Sequence, residues 1–96
     1  MIYILRCSDG SYYTGITRRS ARERLSEHQH GLHGGYTFDR RPVALVHAES
    51  YEPIVEAIAA ERRIKGWSPA KKEAYIRSDF AALKELSRRR PASLKT

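Results

Sequence analysis

Glu61 stands where an apolar residue is expected. Ile54, Ala57, Ile58 and Ile64 recur at helical spacing and mark one stripe of a helix. Position 61, between Ile58 and Ile64, lies in that stripe. A carboxylate in a buried stripe is costly unless it is paired, hydrogen-bonded or bound to a metal ion. Two uses stay open. Lys65, one turn on, can pair with it, for about 0.2–0.5 kcal/mol if the pair is exposed. Otherwise the carboxylate is kept for chemistry. A second cluster lies at 21–28, where Ala21, Leu25 and His28 follow spacings of four and three. His28 therefore borders an apolar face, and Arg24, one turn earlier, projects alongside it. The plainer reading is a surface arginine and a boundary histidine. Tyr3 and Tyr13 lie on adjacent strands. They face opposite ways if Cys7 sits opposite Tyr12 across a four-residue loop. They share a face if Cys7 sits opposite Tyr13 or a bulge intervenes.

Short elements must position these residues. Ile2–Cys7 has the composition of a strand, Ser8-Asp9-Gly10-Ser11 that of a turn, and Tyr12–Ile16 that of the returning strand. Gly15 inside that strand suggests close approach of another group. Ser20 and Glu23 form a capping box for a helix to about Gln29. Three glycines within His30–Gly35 mark a loop, and Tyr36–Arg41 is read as loop too. Val43–Glu49 is the third strand. Pro53–Lys65 is a second helix with Gly66 as its cap. Ser68-Pro69 opens a short helix to about Ile76, Asp79 caps a last one from Phe80 to about Arg88, and Pro91 ends it. The order β-β-α-β-α-α-α predicts an α+β fold, a small sheet with helices packed on it. Residues 1–83 are expected to form the domain, and 84–96 a basic helix end and tail.

The 96 residues allow one domain. A hydrophobic content of 41% excludes a disordered tail. No apolar run approaches the roughly 18 residues that span a bilayer, and Arg6 interrupts any signal-like start, so neither secretion nor membrane insertion is expected. Cys7 is the single cysteine. It excludes an internal disulfide and a cysteine-based zinc site, and the reducing cytoplasm is the simplest compartment. As a strand thiol it is expected to be inert packing. Trp67 is expected to cover the sheet or a helix junction. Eighteen Lys and Arg oppose eleven Asp and Glu, for a net charge of +7. Arginine dominates the cations, which suits bidentate grip of phosphate.

In order, Ile2-Tyr3, Tyr13-Thr14-Gly15, Glu23-Arg24-Leu25-Ser26-Glu27-His28 and Glu61-Arg62-Arg63-Ile64-Lys65 resemble the GIY-YIG nuclease domain, above all its small single-domain bacterial members. The likeness covers about residues 2–76. It implies a three-stranded antiparallel sheet flanked by helices and a site that hydrolyses phosphodiesters with one divalent ion, Mg²⁺ or Mn²⁺. On matching positions, Glu61 would hold the metal, Tyr3 would activate the attacking water and Arg24 would stabilise the transition state. Tyr13 and His28 would position water and phosphate or shuttle a proton. The likeness also requires Tyr3 and Tyr13 on one face, hence a five-residue turn or a bulge. It departs at the first motif's glycine, which is Met1 here, and at the C-terminal asparagine of the larger enzymes, since the chain has no Asn.

Around that site Arg18, Arg19, Arg22, Arg40, Arg41, Arg62, Arg63 and Lys65 could meet phosphates, which gives affinity without sequence information. Tyr36 and Phe38, interleaved with cations, suit stacking on unpaired bases; alternatively they close the core. The expected partner is nucleic acid, DNA favoured over RNA, single-stranded or branched over plain duplex, in repair or recombination. With a DNA substrate the protein would be nucleoid-associated. An unidentified protein partner stays open. Two other readings stand beside the metal-dependent endonuclease: a non-catalytic nucleic-acid-binding module on the same fold, and a protein-interaction domain.

Overall fold

The computed structural model describes residues 1–32 and 34–88. His33 and residues 89–96, which include most of the expected basic tail and Pro91, lie outside the described residues. The chain divides into two compact units, residues 1–66 and 67–96. The first contains β1 (Ile2–Arg6), β2 (Tyr12–Ile16), α1 (Ala21–Gln29), β3 (Ala44–Glu49) and α2 (Ile54–Lys65). The second contains α3 (Pro69–Ile76) and α4 (Phe80–Arg88). The three strands form one antiparallel sheet in the order β2-β1-β3.

The β1–β2 hairpin settles the question of faces. Tyr3 lies opposite Gly15, and Leu5 opposite Tyr13. Tyr3 and Leu5 are two apart on one strand, so Tyr3 and Tyr13 share a face. The connection is Ser8-Asp9-Gly10, and of the two expected routes to a shared face, a five-residue turn or a bulge, it takes the bulge. Gly10 at φ 86° supplies the single left-handed bulge residue that gives a three-residue loop the required parity. Cys7 N donates to Ser11 O at 2.8 Å and Gly10 N to Cys7 O at 2.9 Å, closing the turn. Asp9 Oδ1 accepts from Ser11 N at 3.0 Å and Ser11 Oγ at 2.6 Å.

β1 is the central strand and is covered on both faces: Ile2, Tyr3, Ile4 and Leu5 are all fully buried. On one face Tyr3, Leu5 and Cys7 pack with Ala21 and Val43, joined by Tyr13, Leu25 and Leu45. The alternate side chains Ile2, Ile4 and Thr14 are buried on the other. α1 packs against β1 and β3, and α2 against β2 and β1. The ladder to β3 shifts register between Ile4, opposite His47, and Leu5, opposite Leu45.

Both halves of the expected capping box on α1 are present: Ser20 Oγ accepts from Glu23 N at 3.1 Å, and Glu23 Oε1 from Ser20 N at 3.2 Å. At its other end Gln29 exchanges two hydrogen bonds with the backbone of Val43, at 2.8 and 3.1 Å. Val43 is thus a buried anchor just before β3 rather than its first residue. α2 starts after Pro53, and Gly66 caps it through Arg63 O and Ile64 O. Its buried residues are Ala57, Ala60 and Ile64. The stripe is rotated towards Ala60, and Ile58, expected inside, is 39% exposed. Tyr36–Arg41, expected as loop, contains a 3₁₀ turn at Phe38–Arg40. Arg40 N there bonds to Thr37 O at 3.0 Å, just after the left-handed Gly35.

In the second unit, Ser68 Oγ caps α3 through Lys71 N at 3.2 Å, and Asp79 Oδ1 caps α4 through Ala82 N at 3.1 Å. Trp67 packs edge-on against Tyr75, with ring centroids 5.6 Å apart.

Candidate active site

The capped start of α1 and the Gln29 clamp at its end hold a helix of two and a half turns against β1. Arg24 and His28, one turn apart, then meet the Tyr3 and Tyr13 face of the sheet. His28 is 1% exposed and carries a hydrogen bond on each ring nitrogen. Nε2 lies 3.1 Å from the Tyr3 hydroxyl. Nδ1 lies 2.7 Å from Thr37 Oγ1. The Tyr13 ring sits 4.9 Å from the imidazole and 6.2 Å from the Tyr3 ring, centroid to centroid. The glycine of β2 makes room: a Cβ at Gly15 would lie 2.8 Å or less from three atoms of the Tyr3 ring and hydroxyl. The close approach expected at Gly15 is therefore that of the Tyr3 phenol.

Burial raises the Tyr3 pKa above its ordinary value of 10.0, and the neighbouring Arg24 guanidinium works against that rise. Burial in turn opposes the Arg24 charge, but Tyr3 and Glu27 outweigh it and hold the guanidinium firmly protonated. Arg24 Nη1 donates to Glu27 Oε1 at 3.0 Å, and Glu27 also pairs with Arg19. Arg24 Nε is buried and finds no acceptor among the described residues. An arginine with an unspent donor beside a phenol and an imidazole suits a phosphate whose charge grows during reaction.

Glu61 joins this group at one remove. Its Oε2 pairs with Lys65 Nζ at 2.8 Å, and its side chain is 12% exposed. The Glu61 hydrogen bond raises the Lys65 pKa, and Tyr13 adds to that rise from across the site. Of the five expected catalytic residues, Tyr3, Tyr13, Arg24 and His28 are thus in one cluster, with Glu61 linked to Tyr13 through Lys65. Among the described residues no group of three or more His, Cys, Asp and Glu could hold a metal ion. The chemistry of the donor set fits one hard divalent ion held by the Glu61 carboxylate, with water and substrate oxygens as its other ligands. It does not fit an all-protein cage.

The expected nucleic-acid contacts divide. Arg18, Arg22, Arg62, Arg63 and Lys65 are exposed. Arg19 is tied to Glu27. Tyr36 and Phe38 are 41% and 44% exposed, so they do not close the core. Each instead carries an arginine: Arg40 lies 3.9 Å over the Tyr36 ring and Arg41 4.6 Å over Phe38. Arg40 also reaches Asp9 in the hairpin turn at 3.1 Å, and Tyr36 lies 6.2 Å from Tyr13. Two site residues escape a reading of the sequence. Glu27, three residues after Arg24, is signalled by helical spacing. Thr37 is signalled by nothing local, because a loop delivers it.

No helix among the described residues is long and apolar enough to cross a membrane. The family model described as the GIY-YIG catalytic domain matches residues 1–74. A UPF0213 protein of Halobacterium salinarum is 47% identical over 75 residues, covering 78% of this chain and 96% of that protein. A UPF0213 protein of Bacillus velezensis is 47% identical over 74 residues, 77% of this chain and 74% of that protein. One from Listeria monocytogenes is 45% identical over 74 residues, 77% of this chain and 82% of that protein. No solved structure matches the chain.

Proposed function

This chain belongs to the GIY-YIG family, and from that premise we propose that it is a divalent-metal-dependent endonuclease that hydrolyses phosphodiester bonds in DNA. One observation carries the reading: a buried Tyr3 phenol hydrogen-bonded to His28 at 3.1 Å, with a charged Arg24 beside it. As the phenolate, Tyr3 accepts the proton of the attacking water and becomes the neutral phenol. A phenol of raised pKa is a poor base, and Arg24 is the group beside it that favours its charged form. Arg24 also carries the donors that meet the phosphate as its charge develops. Tyr13, its ring tilted against that of His28, holds the water or a phosphate oxygen. A Mg²⁺ or Mn²⁺ ion bound by Glu61 would supply further positive charge to the phosphate.

The substrate is single-stranded or branched DNA, handled in repair or recombination. The exposed Tyr36 and Phe38 with Arg40 and Arg41 support this, since aromatic faces stack on unpaired bases for about 1–3 kcal/mol each. A non-catalytic binding module is the second reading, and the Glu61–Lys65 pair is the feature that favours it. The test is cleavage of labelled single-stranded, duplex, flap and junction DNA with Mg²⁺, Mn²⁺ or EDTA, using wild type and Glu61→Gln. Metal-dependent cutting lost in Glu61→Gln is expected. Folded wild type that binds salt-sensitively but never cuts would establish the binding module. Equal competition by blunt duplex and flaps would remove the substrate preference.

A further inference from the structure

Thr37 is 1% exposed, and its hydroxyl has a single partner among the described residues, His28 Nδ1 at 2.7 Å. A buried hydroxyl that only accepted would leave its own proton unsatisfied, at a cost of about 1–3 kcal/mol. The low-cost arrangement has Thr37 Oγ1–H donating to Nδ1. Nδ1 is then the bare nitrogen of the neutral ring, and the ring proton must sit on Nε2. Nε2 faces the Tyr3 oxygen at 3.1 Å. We propose that Thr37 is a positioning residue that fixes His28 in its Nε2–H form, so that His28 donates to the Tyr3 oxygen. With Arg24 on the same phenol, Tyr3 then has two groups that stabilise negative charge where a base must carry it. The opposite tautomer would reverse the effect: Nε2 would accept the Tyr3 proton and hold the phenol neutral.

The catalytic part of this proposal rests on the nuclease reading; the tautomer does not, and it can be read without any substrate. Long-range ¹⁵N–¹H NMR of labelled protein near pH 8 reports which His28 nitrogen bears the proton. Wild type is expected to show protonated Nε2 and bare Nδ1. Thr37→Val keeps the shape but removes the donor, and is expected to give a mixture of tautomers. Thr37→Ser, which restores the hydroxyl, is expected to recover the wild-type pattern. The Tyr3 phenol, followed by phenolate absorbance against Tyr3→Phe, should titrate at higher pH in Thr37→Val. On the proposed substrate, kcat should fall by roughly tenfold or more with KM unchanged, the scale found when a metal-ligating histidine loses its orienting hydrogen bond, and return in Thr37→Ser. A wild-type ring protonated at Nδ1, or a Thr37→Val ring unchanged from wild type, overturns the proposal. Protonated Nε2 in a wild type that cuts no nucleic acid would confirm the Thr37 bond and remove the nuclease reading instead.

Discussion

Gly15→Ala puts a methyl group where the Tyr3 ring already is. The added Cβ would lie at 2.8 Å or less from three Tyr3 atoms, inside any tolerable carbon contact. The ring has little freedom to yield: Tyr3 is fully buried, and its hydroxyl is held by His28 at 3.1 Å. Overpacking of this kind costs about 1–3 kcal/mol. In an open strand the same substitution would stabilise, since glycine is worse than alanine there by roughly 0.5–1 kcal/mol. The sign is therefore diagnostic. Urea unfolding followed by circular dichroism should show a lower midpoint with an unchanged slope. In a Tyr3→Leu background, where the phenol is gone, Gly15→Ala should cost far less or become stabilising, a coupling of about 0.5–3 kcal/mol. An equal effect of Gly15→Ala in both backgrounds would refute the reasoning, because the glycine would then serve the backbone and not the ring.

Four other outcomes follow from the same geometry. Because burial holds the folded Tyr3 pKa above 10.0, its contribution to stability is complete below pH 10 and declines as pH rises past that value; between pH 9 and 11 wild type should lose more stability than Tyr3→Phe, by urea midpoint. Cys7 is free and buried, and burial pushes its thiol pKa up, so an aromatic disulfide reagent at pH 8 should leave the native protein unlabelled and react in urea. Ser20→Ala removes one half of the capping box and should cost about 1 kcal/mol, whereas Ser20→Asp should cost less. Lys65→Met should strengthen Mn²⁺ binding by calorimetry and Glu61→Gln should abolish it; a Lys65→Met affinity equal to wild type would show that the pair does not compete with the ion.

The parts of this site that are legible in sequence are those governed by local periodicity. The Ser20–Glu23 box, the Arg24–His28 spacing and the Asp9-Gly10 turn each specify a conformation within a few residues, and each is present. The resemblance required one face for Tyr3 and Tyr13, and an odd loop meets that requirement. Three residues serve as well as five, and only the left-handed Gly10 distinguishes them. Spacing puts Ile58 inside the stripe because it counts Ala57 but leaves out Ala60. Ala57 and Ala60 let α2 approach the sheet closely, and that turns Ile58 outward. Thr37 is not legible because it lies nine positions after His28, beyond a glycine-rich loop. Tyr36 and Phe38 look like core residues by composition, but Arg40 and Arg41 cover their rings where they lie.

On the proposed function, the Glu61–Lys65 pair would let one carboxylate serve two states. With its side chain 12% exposed and Ala57, Ala60 and Ile64 buried on the same helix face, an unpaired charge at Glu61 would be unfavourable. Lys65 removes that cost, but it is 58% exposed and one turn away, so the pair contributes only about 0.3–0.5 kcal/mol. A buried arginine in a bidentate grip would cost about 3–5 kcal/mol to break. Lysine on a flexible stem neutralises the carboxylate, and on the proposed function it would yield to a metal ion. Tyr13 is the smallest of the contributions that raise the Lys65 pKa, after the Glu61 hydrogen bond. Lys65 thus stands between the helix that carries Glu61 and the hairpin that carries Tyr13, and neither periodicity nor burial alone would single it out.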